Sequence, residues 1–194
     1  MASIILASGS PRRRAMLTGL GLDFAVRPVD VDETEPADAG PEQTVELLAR
    51  RKALAARKRD PDAIIIACDT LVFLDERPLA KPADEAQARE FVRALAGRSH
   101  HVLSGLCVCR GDTERVGHER TEVRMRKLSE DEIAAYVASG ESMDKAGAYA
   151  IQGRGALLIE GIAGDYHNVV GLPLRLLYVF LNDFGVNLLE KPAS

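Results

Sequence analysis

The chain reads as an α/β protein built on a mixed β-sheet, and three observations carry that reading. Residues 63–68, Ala63-Ile64-Ile65-Ile66-Ala67-Cys68, are apolar without alternation, as a central strand covered on both faces requires. Residues 42–59 set Val45, Leu48 and Lys52 at helical spacing, with Leu47 and Leu54 widening the apolar face. Residues 101–110 and 114–125 flank Gly111-Asp112, which predicts a long β-hairpin rather than two unrelated strands.

The remaining elements follow in order. Residues 3–7 read as a short buried strand, and Ser8-Gly9-Ser10-Pro11 turns the chain into a helix carrying Ala15, Met16, Leu17 and Leu20. Pro11 suits the first helical position, where no backbone donor is needed. Residues 24–29 read as a second strand running into Asp30-Val31-Asp32-Glu33, followed by a proline-containing loop over residues 36–41. The buried strand 63–68 is expected to stop at Asp69-Thr70, with residues 71–74 extended into an Asp75-Glu76-Arg77-Pro78 turn. A helix over residues 84–95 is ended by Gly97.

Beyond the hairpin, Ser129 and Glu132 form a capping box for a helix carrying Ile133, Tyr136 and Val137 and stopping near Gly140. Residues 144–155 hold Gly147, Gly153 and Gly155 around Lys145, Tyr149 and Gln152, a composition suited to close backbone approach by a ligand. Residues 157–159 should be a strand. Asn168-Val169-Val170-Gly171-Leu172-Pro173 leads into a last helix whose Leu174, Leu177, Val179 and Leu181 should pack inward, before a polar tail after Leu189.

Composition narrows the function. With 194 residues, 46% of them hydrophobic, the chain has material for a sizeable core in one large domain or two small lobes. A formal net charge of −4 argues against broad electrostatic binding to nucleic acid, while a local basic cluster can still hold a small phosphorylated ligand. No apolar run approaches the roughly 20 residues that cross a bilayer, and residues 1–8 lack the pattern of a secretory signal, so a cytoplasmic setting without membrane contact is expected. Cys107 and Cys109 share one face of a strand while Cys68 is distant, so reduced, buried thiols are expected. His100, His101, His118 and His167 supply no zinc-like spacing. Few aromatics argue against extensive base stacking.

Several groups can carry chemistry. Ser8-Gly9-Ser10-Pro11-Arg12-Arg13-Arg14 joins a strand to a helix, so the hydroxyls of Ser8 and Ser10, the amides, the helix N-terminus and the guanidinium groups of Arg12 and Arg13 can converge on a phosphate. The Walker A spacing is absent, and the same residues also serve as a plain helix start. Asp69 can hold a metal or accept a proton from water, or simply close a turn. Glu33 offers a second carboxylate, since magnesium takes one or two of them plus phosphates and waters, although acidic loops are commonly just solvated. Lys52 and Lys81 can neutralise phosphates or serve as surface charges. Gln152 beside Gly153 can read a base edge or occupy a β-turn.

Taken in order and spacing, ILASGSPRRR at the start, ARRKA at 49–53, ACDT at 67–70, AKP at 80–82, SGESMDKAGAYAIQG at 139–153 and GDYHNVVGLPL at 164–174 resemble the Maf family over nearly the whole chain. The resemblance implies a single α/β domain over residues 1–194, with two lobes around a central cleft and a long curved mixed sheet with flanking helices, similar to the inosine-triphosphate pyrophosphatase architecture. It implies hydrolysis of the α–β phosphoanhydride of a nucleoside triphosphate with a divalent cation, Mg2+ or Mn2+, and homodimerisation. DKAGAYAIQG and NVVGLP resemble the members acting on dTTP and UTP. Two other readings stay open: a nucleotide-binding regulator of septum formation with little catalysis, and a 7-methyl-GTP pyrophosphatase. By position, Ser8, Arg12 and Arg13 match the phosphate-binding turn, Glu33 and Asp69 the acidic pair that would hold metal, and Lys52, Lys81 and Gln152 the other polar site residues. Cys68 and Ala80 stand where the family more usually has glycine.

Overall fold

The computed structural model describes residues 3–34 and 39–190; part of the loop expected over residues 36–41 and the end of the expected tail lie outside them. The elements run β1 (Ile4–Leu6), α1 (Pro11–Gly19), β2 (Ala25–Val26), α2 (Pro41–Arg57), β3 (Ile64–Leu74), β4 (Arg77–Leu79), α3 (Glu85–Leu95), β5 (Ser99–Arg110), β6 (Thr113–Met125), α4 (Glu130–Ala138), β7 (Ile159–Ala163), α5 (Tyr166–Val170) and α6 (Leu174–Asp183), with 3-10 turns at Ala146–Ala148 and Gly153–Leu158. One seven-stranded sheet has the order β2-β1-β3-β5-β6-β7, with β4 paired to β3. It is mixed: β1 runs parallel to β2 and β3, whereas β4 and β7 run antiparallel to β3 and β6.

The chain divides into two compact units. The first takes the described residues of Met1–Asp69, Ser104–Glu119 and Gly171–Ser194. Its sheet is covered on both faces, which explains the unbroken apolar run of β3. Ile4, Leu6, Ile64, Ile66 and Cys68 pack with Leu17 of α1 and Leu177, Phe180 and Leu181 of α6. The alternate residues Ile5, Ala7, Ile65 and Ala67, with Cys107 and Cys109, pack against Ala49, Ala53 and Ala56 of α2. Small residues let α2 lie close: a Cβ on Gly105 of β5 would sit 2.0 Å from the Val45 carbonyl oxygen. All three cysteines are buried, free thiols, as expected.

The second unit takes Thr70–Leu103 and Arg120–Val170. Val72, Leu74, Val102, Val123 and Met125 of its strands pack with Ala88, Val92 and Leu95 of α3 and Ile133, Tyr136 and Val137 of α4. The capping box opens α4 as expected, with Ser129 and Glu132 bonding each other's backbone amides. Among the described residues, no helix is long and apolar enough to cross a membrane.

Several expectations are corrected. Strand β3 does not stop at Asp69 but continues to Leu74, because the Asp69 side chain finds a partner outside the sheet. The expected turn 75–78 is a hairpin: Asp75 and Glu76 take left-handed φ values of 49° and 61°, and Arg77–Leu79 returns along β3, where Pro78 is tolerated because β4 pairs on one side only. Residues 157 and 158 belong to a 3-10 turn, and the strand begins at Ile159. Gly155 permits the tight turn, since a Cβ there would meet the Ala150 carbonyl oxygen at 2.1 Å. The second strand is only Ala25–Val26, and the short α5 was not anticipated. Leu20, Leu47 and Val179 are exposed because the inward stripes fall elsewhere, through Leu17 in α1, through Val45, Leu48, Ala49, Ala53 and Ala56 in α2, and through Leu177, Phe180 and Leu181 in α6.

Candidate active site

In the first unit the chain passes from β1 through α1 to β2 on one side, then through α2 to β3 on the other. Such a reversal of strand order opens a crevice beyond the carboxyl ends of the two central parallel strands, where α/β proteins bind ligands. The register Leu6↔Ile66, extended by the Ala7 amide to the Ile66 carbonyl at 2.8 Å, brings the turn after β1 beside Cys68 and Asp69.

That turn is internally tied. The Ser8 hydroxyl oxygen accepts from the Ser10 amide at 3.2 Å and from Arg13 Nη1 at 3.1 Å. Ser10 caps α1, its hydroxyl accepting from the Arg13 amide at 3.5 Å, and Pro11 opens the helix. Arg13 Nε donates to the Gly171 carbonyl at 2.7 Å, and the Cys68 thiol donates to the same oxygen at 3.3 Å. Arg12, half-buried, follows Pro11 in the first turn of α1. Two hydroxyls, a helix N-terminus and the Arg13 guanidinium therefore stand together beside β3, an arrangement able to hold an anion.

Asp69 sits mid-strand on the face that meets α2, and Lys52 of α2 hydrogen-bonds its carboxylate. The same Lys52 Nζ lies 2.7 Å from a Glu33 carboxylate oxygen. Side-chain exposure is 12% for Lys52 and 10% for Asp69 but 61% for Glu33, so one acid is withdrawn from water and the other borders it. Burial works to lower the Lys52 pKa, but the negative charge of Asp69 and the hydrogen bonds to Asp69 and Glu33 outweigh it, leaving the ammonium harder to deprotonate than usual. The family resemblance paired Glu33 with Asp69 and named Lys52 apart from them, and the fold brings the three together.

Arg51, which sequence reading did not single out, holds the Glu33 segment. Its Nη1 donates to the Asp32 carbonyl at 3.1 Å and the Thr34 carbonyl at 2.8 Å, on either side of Glu33. The Asp32 carboxylate accepts the Thr34 amide at 2.9 Å. Hydrogen bonds from Thr34, with the nearby Arg51 charge, hold Asp32 below the usual carboxylate range.

Lys81 and Gln152 belong to the second unit, and both are exposed. Lys81 follows β4, and the preceding Ala80 carbonyl accepts the Gly147 amide at 3.2 Å, joining its segment to the glycine-rich stretch. Gln152 immediately precedes the 3-10 turn Gly153–Leu158. That turn is held by Glu141, whose two carboxylate oxygens accept the amides of Arg154 at 3.1 Å and Gly155 at 3.2 Å. Gly153 takes φ +64°, and a Cβ there would meet Glu141 Oε1 at 2.9 Å. Lys145 Nζ donates to the Glu141 carbonyl at 2.8 Å. Glu141 was also missed, because the amides it serves lie 13 and 14 residues away and no short motif links them.

Among the described residues, no three His, Cys, Asp or Glu side chains gather as a metal cluster. Glu33 and Asp69, facing one ammonium, instead supply two carboxylates. That donor set fits a hard divalent cation whose other ligands are phosphate oxygens and water.

A family model described as Maf-like protein matches residues 3–184. A dTTP/UTP pyrophosphatase of Symbiobacterium thermophilum is 50% identical over 185 residues, covering 95% of each chain. One of Pelotomaculum thermopropionicum is 48% identical over 191 residues, covering 97% of this chain and all of the relative. Among solved structures, the Ham1 protein of Staphylococcus aureus superposes with a TM-score of 0.54 at 16% identity, covering 94% of this chain and 99% of that one, a likeness of fold.

Proposed function

Because the chain belongs to the Maf-like protein family, we propose that it is a nucleoside triphosphate pyrophosphatase, hydrolysing the α–β phosphoanhydride of dTTP and UTP to the monophosphate and pyrophosphate. The substrates are those for which the relatives are named. The observation that carries the chemistry is the Glu33–Lys52–Asp69 constellation beside the Ser8–Arg13 turn at the strand-order reversal.

In this reading Asp69 accepts the proton of the attacking water. The water oxygen bonds to phosphorus as the α–β anhydride bond breaks, and pyrophosphate departs. Lys52, Arg12 and Arg13 offset charge on the phosphates and Ser8 and Ser10 shape their turn, while Lys81 and Gln152 keep the phosphate- and nucleotide-binding roles that the family resemblance gives them. Positioning and electrostatics suffice for such a reaction, so no covalent nucleophile is required. A divalent cation, Mg2+ or Mn2+, would be held by Glu33 and Asp69 and would neutralise phosphate charge. A reducing, cytoplasmic setting accords with three free, buried thiols.

The test is release of monophosphate and pyrophosphate from dTTP, UTP, CTP, 7-methyl-GTP and ITP, with and without Mg2+ or Mn2+. Metal-dependent turnover of dTTP and UTP above the others is expected, and silence across the panel by folded protein would overturn the proposal. In the active enzyme, near-normal turnover by Asp69→Asn would remove Asp69 from its role.

A further inference from the structure

We infer that Arg51 is a positioning residue for Glu33, acting by clamping the backbone on both sides of that carboxylate to helix α2. The inference rests on the reading of Glu33 as a functional group.

Residues 31–34 belong to no helix or strand, and Glu33 is mostly exposed, so neither a ladder of hydrogen bonds nor core packing fixes its segment. Two contacts from adjacent residues of α2 divide the work. Lys52 reaches the Glu33 carboxylate at 2.7 Å, and Arg51 Nη1 reaches the Asp32 and Thr34 carbonyls at 3.1 and 2.8 Å. The first contact is between charges and must change when a phosphorylated, metal-bearing ligand enters. The second is to backbone oxygens and has no reason to change. The Asp32 carboxylate, bonded to the Thr34 amide at 2.9 Å, closes the short loop inside the clamp. Arg51 thus keeps the backbone of Glu33 in place while its side chain exchanges partners. Arg50, one position earlier, spends its guanidinium on Glu114 at 2.9 Å and takes no part.

The experiment is a double-mutant cycle in the intact protein, with Arg51→Ala, Glu33→Gln and the pair assayed on dTTP, alongside amide hydrogen exchange over residues 31–34. Arg51→Ala should lower kcat/KM by about 10- to 100-fold, the scale set by misplacing a reacting group. It should also speed exchange of the Thr34 amide and cause no further loss in the Glu33→Gln background. Arg51→Gln, which keeps the first methylenes of the side chain but lacks the guanidinium, repeats the cycle should the alanine variant unfold. Losses that add in full, unchanged exchange, or full activity of the Arg51 variants would overturn the inference while leaving Glu33 its role. Full activity of Glu33→Gln would instead overturn the reading of Glu33, and the inference with it.

Discussion

Lys52 of α2 and Asp69 of β3 form an ion pair nearly withdrawn from water, with side-chain exposures of 12% and 10%. Removing one member of such a pair strands the other charge, whereas removing both avoids that penalty. Lys52→Met should therefore cost about 3 kcal/mol or more, and Lys52→Met with Asp69→Asn should cost less than Lys52→Met alone. Urea denaturation at pH 7 of the four proteins measures this, and simple additivity would contradict it. Because the Lys52 pKa is raised, its contribution is fully present below the ordinary 10.5 and fades only as pH rises through the higher folded value.

Gly105 decides how closely α2 approaches the sheet. A Cβ at this position would lie 2.0 Å from the Val45 carbonyl oxygen and 2.7 Å from the Glu46 amide, both rigid backbone. Gly105→Ala should destabilise by about 3 kcal/mol or more, since neither side can yield without moving the helix. Activity should fall with it even well below the unfolding temperature, because α2 also carries Arg51 and Lys52. Gly19→Ala, which meets nothing within 4 Å, is the control and should leave both thermal midpoint and kcat/KM near those of the parent.

What the sequence disclosed was mostly local. The Ser129–Glu132 box, the helix over residues 84–95 and the Gly111-Asp112 reversal each depend on neighbours a few residues apart, and each is found in the fold. Asp69 was legible as a candidate but not as a mid-strand residue, because aspartate is disfavoured in strands and its partner Lys52 is 17 residues away. Arg50, Arg51 and Lys52 are three adjacent cations that composition cannot rank. Only folding sends them to Glu114, to the Glu33 loop and to Asp69 respectively. Gly105 carried a faint signal, a glycine inside a strand, that by itself names no partner.

His100 is buried, its Nε2 paired with the Tyr149 hydroxyl at 2.6 Å and its Nδ1 without a partner among the described residues. Burial, and then the neighbouring His101, push its pKa down to about 4 from 6.5. Between these values the unfolded chain binds a proton that the folded one refuses, so stability falls as pH drops from 6.5 toward 4. The loss should be on the order of 3 kcal/mol. His100→Gln should remove that part of the pH dependence, whatever its own cost at pH 7. Equal slopes for the two proteins in chemical denaturation between pH 7 and pH 4 would contradict the assignment.

Glu141 and Gly153 test whether the turn after Gln152 matters to substrate. Gly153→Ala sets a Cβ at φ +64° and 2.9 Å from Glu141 Oε1, so it imposes backbone strain of about 1 kcal/mol or more and pushes the carboxylate off the Arg154 and Gly155 amides. Glu141→Ala leaves those amides without their acceptor but removes the obstruction. Each single variant should raise KM for dTTP more than it lowers kcat, because the disturbed turn carries Gln152, proposed to bind the nucleotide, while the proton transfer is assigned to Asp69. In the double variant the clash is gone and only the φ strain and the lost acceptor remain, so the losses should be less than additive. Steady-state kinetics on the three variants decides the point. A fall confined to kcat, or full additivity, would mean that the Glu141 latch does not act through Gln152.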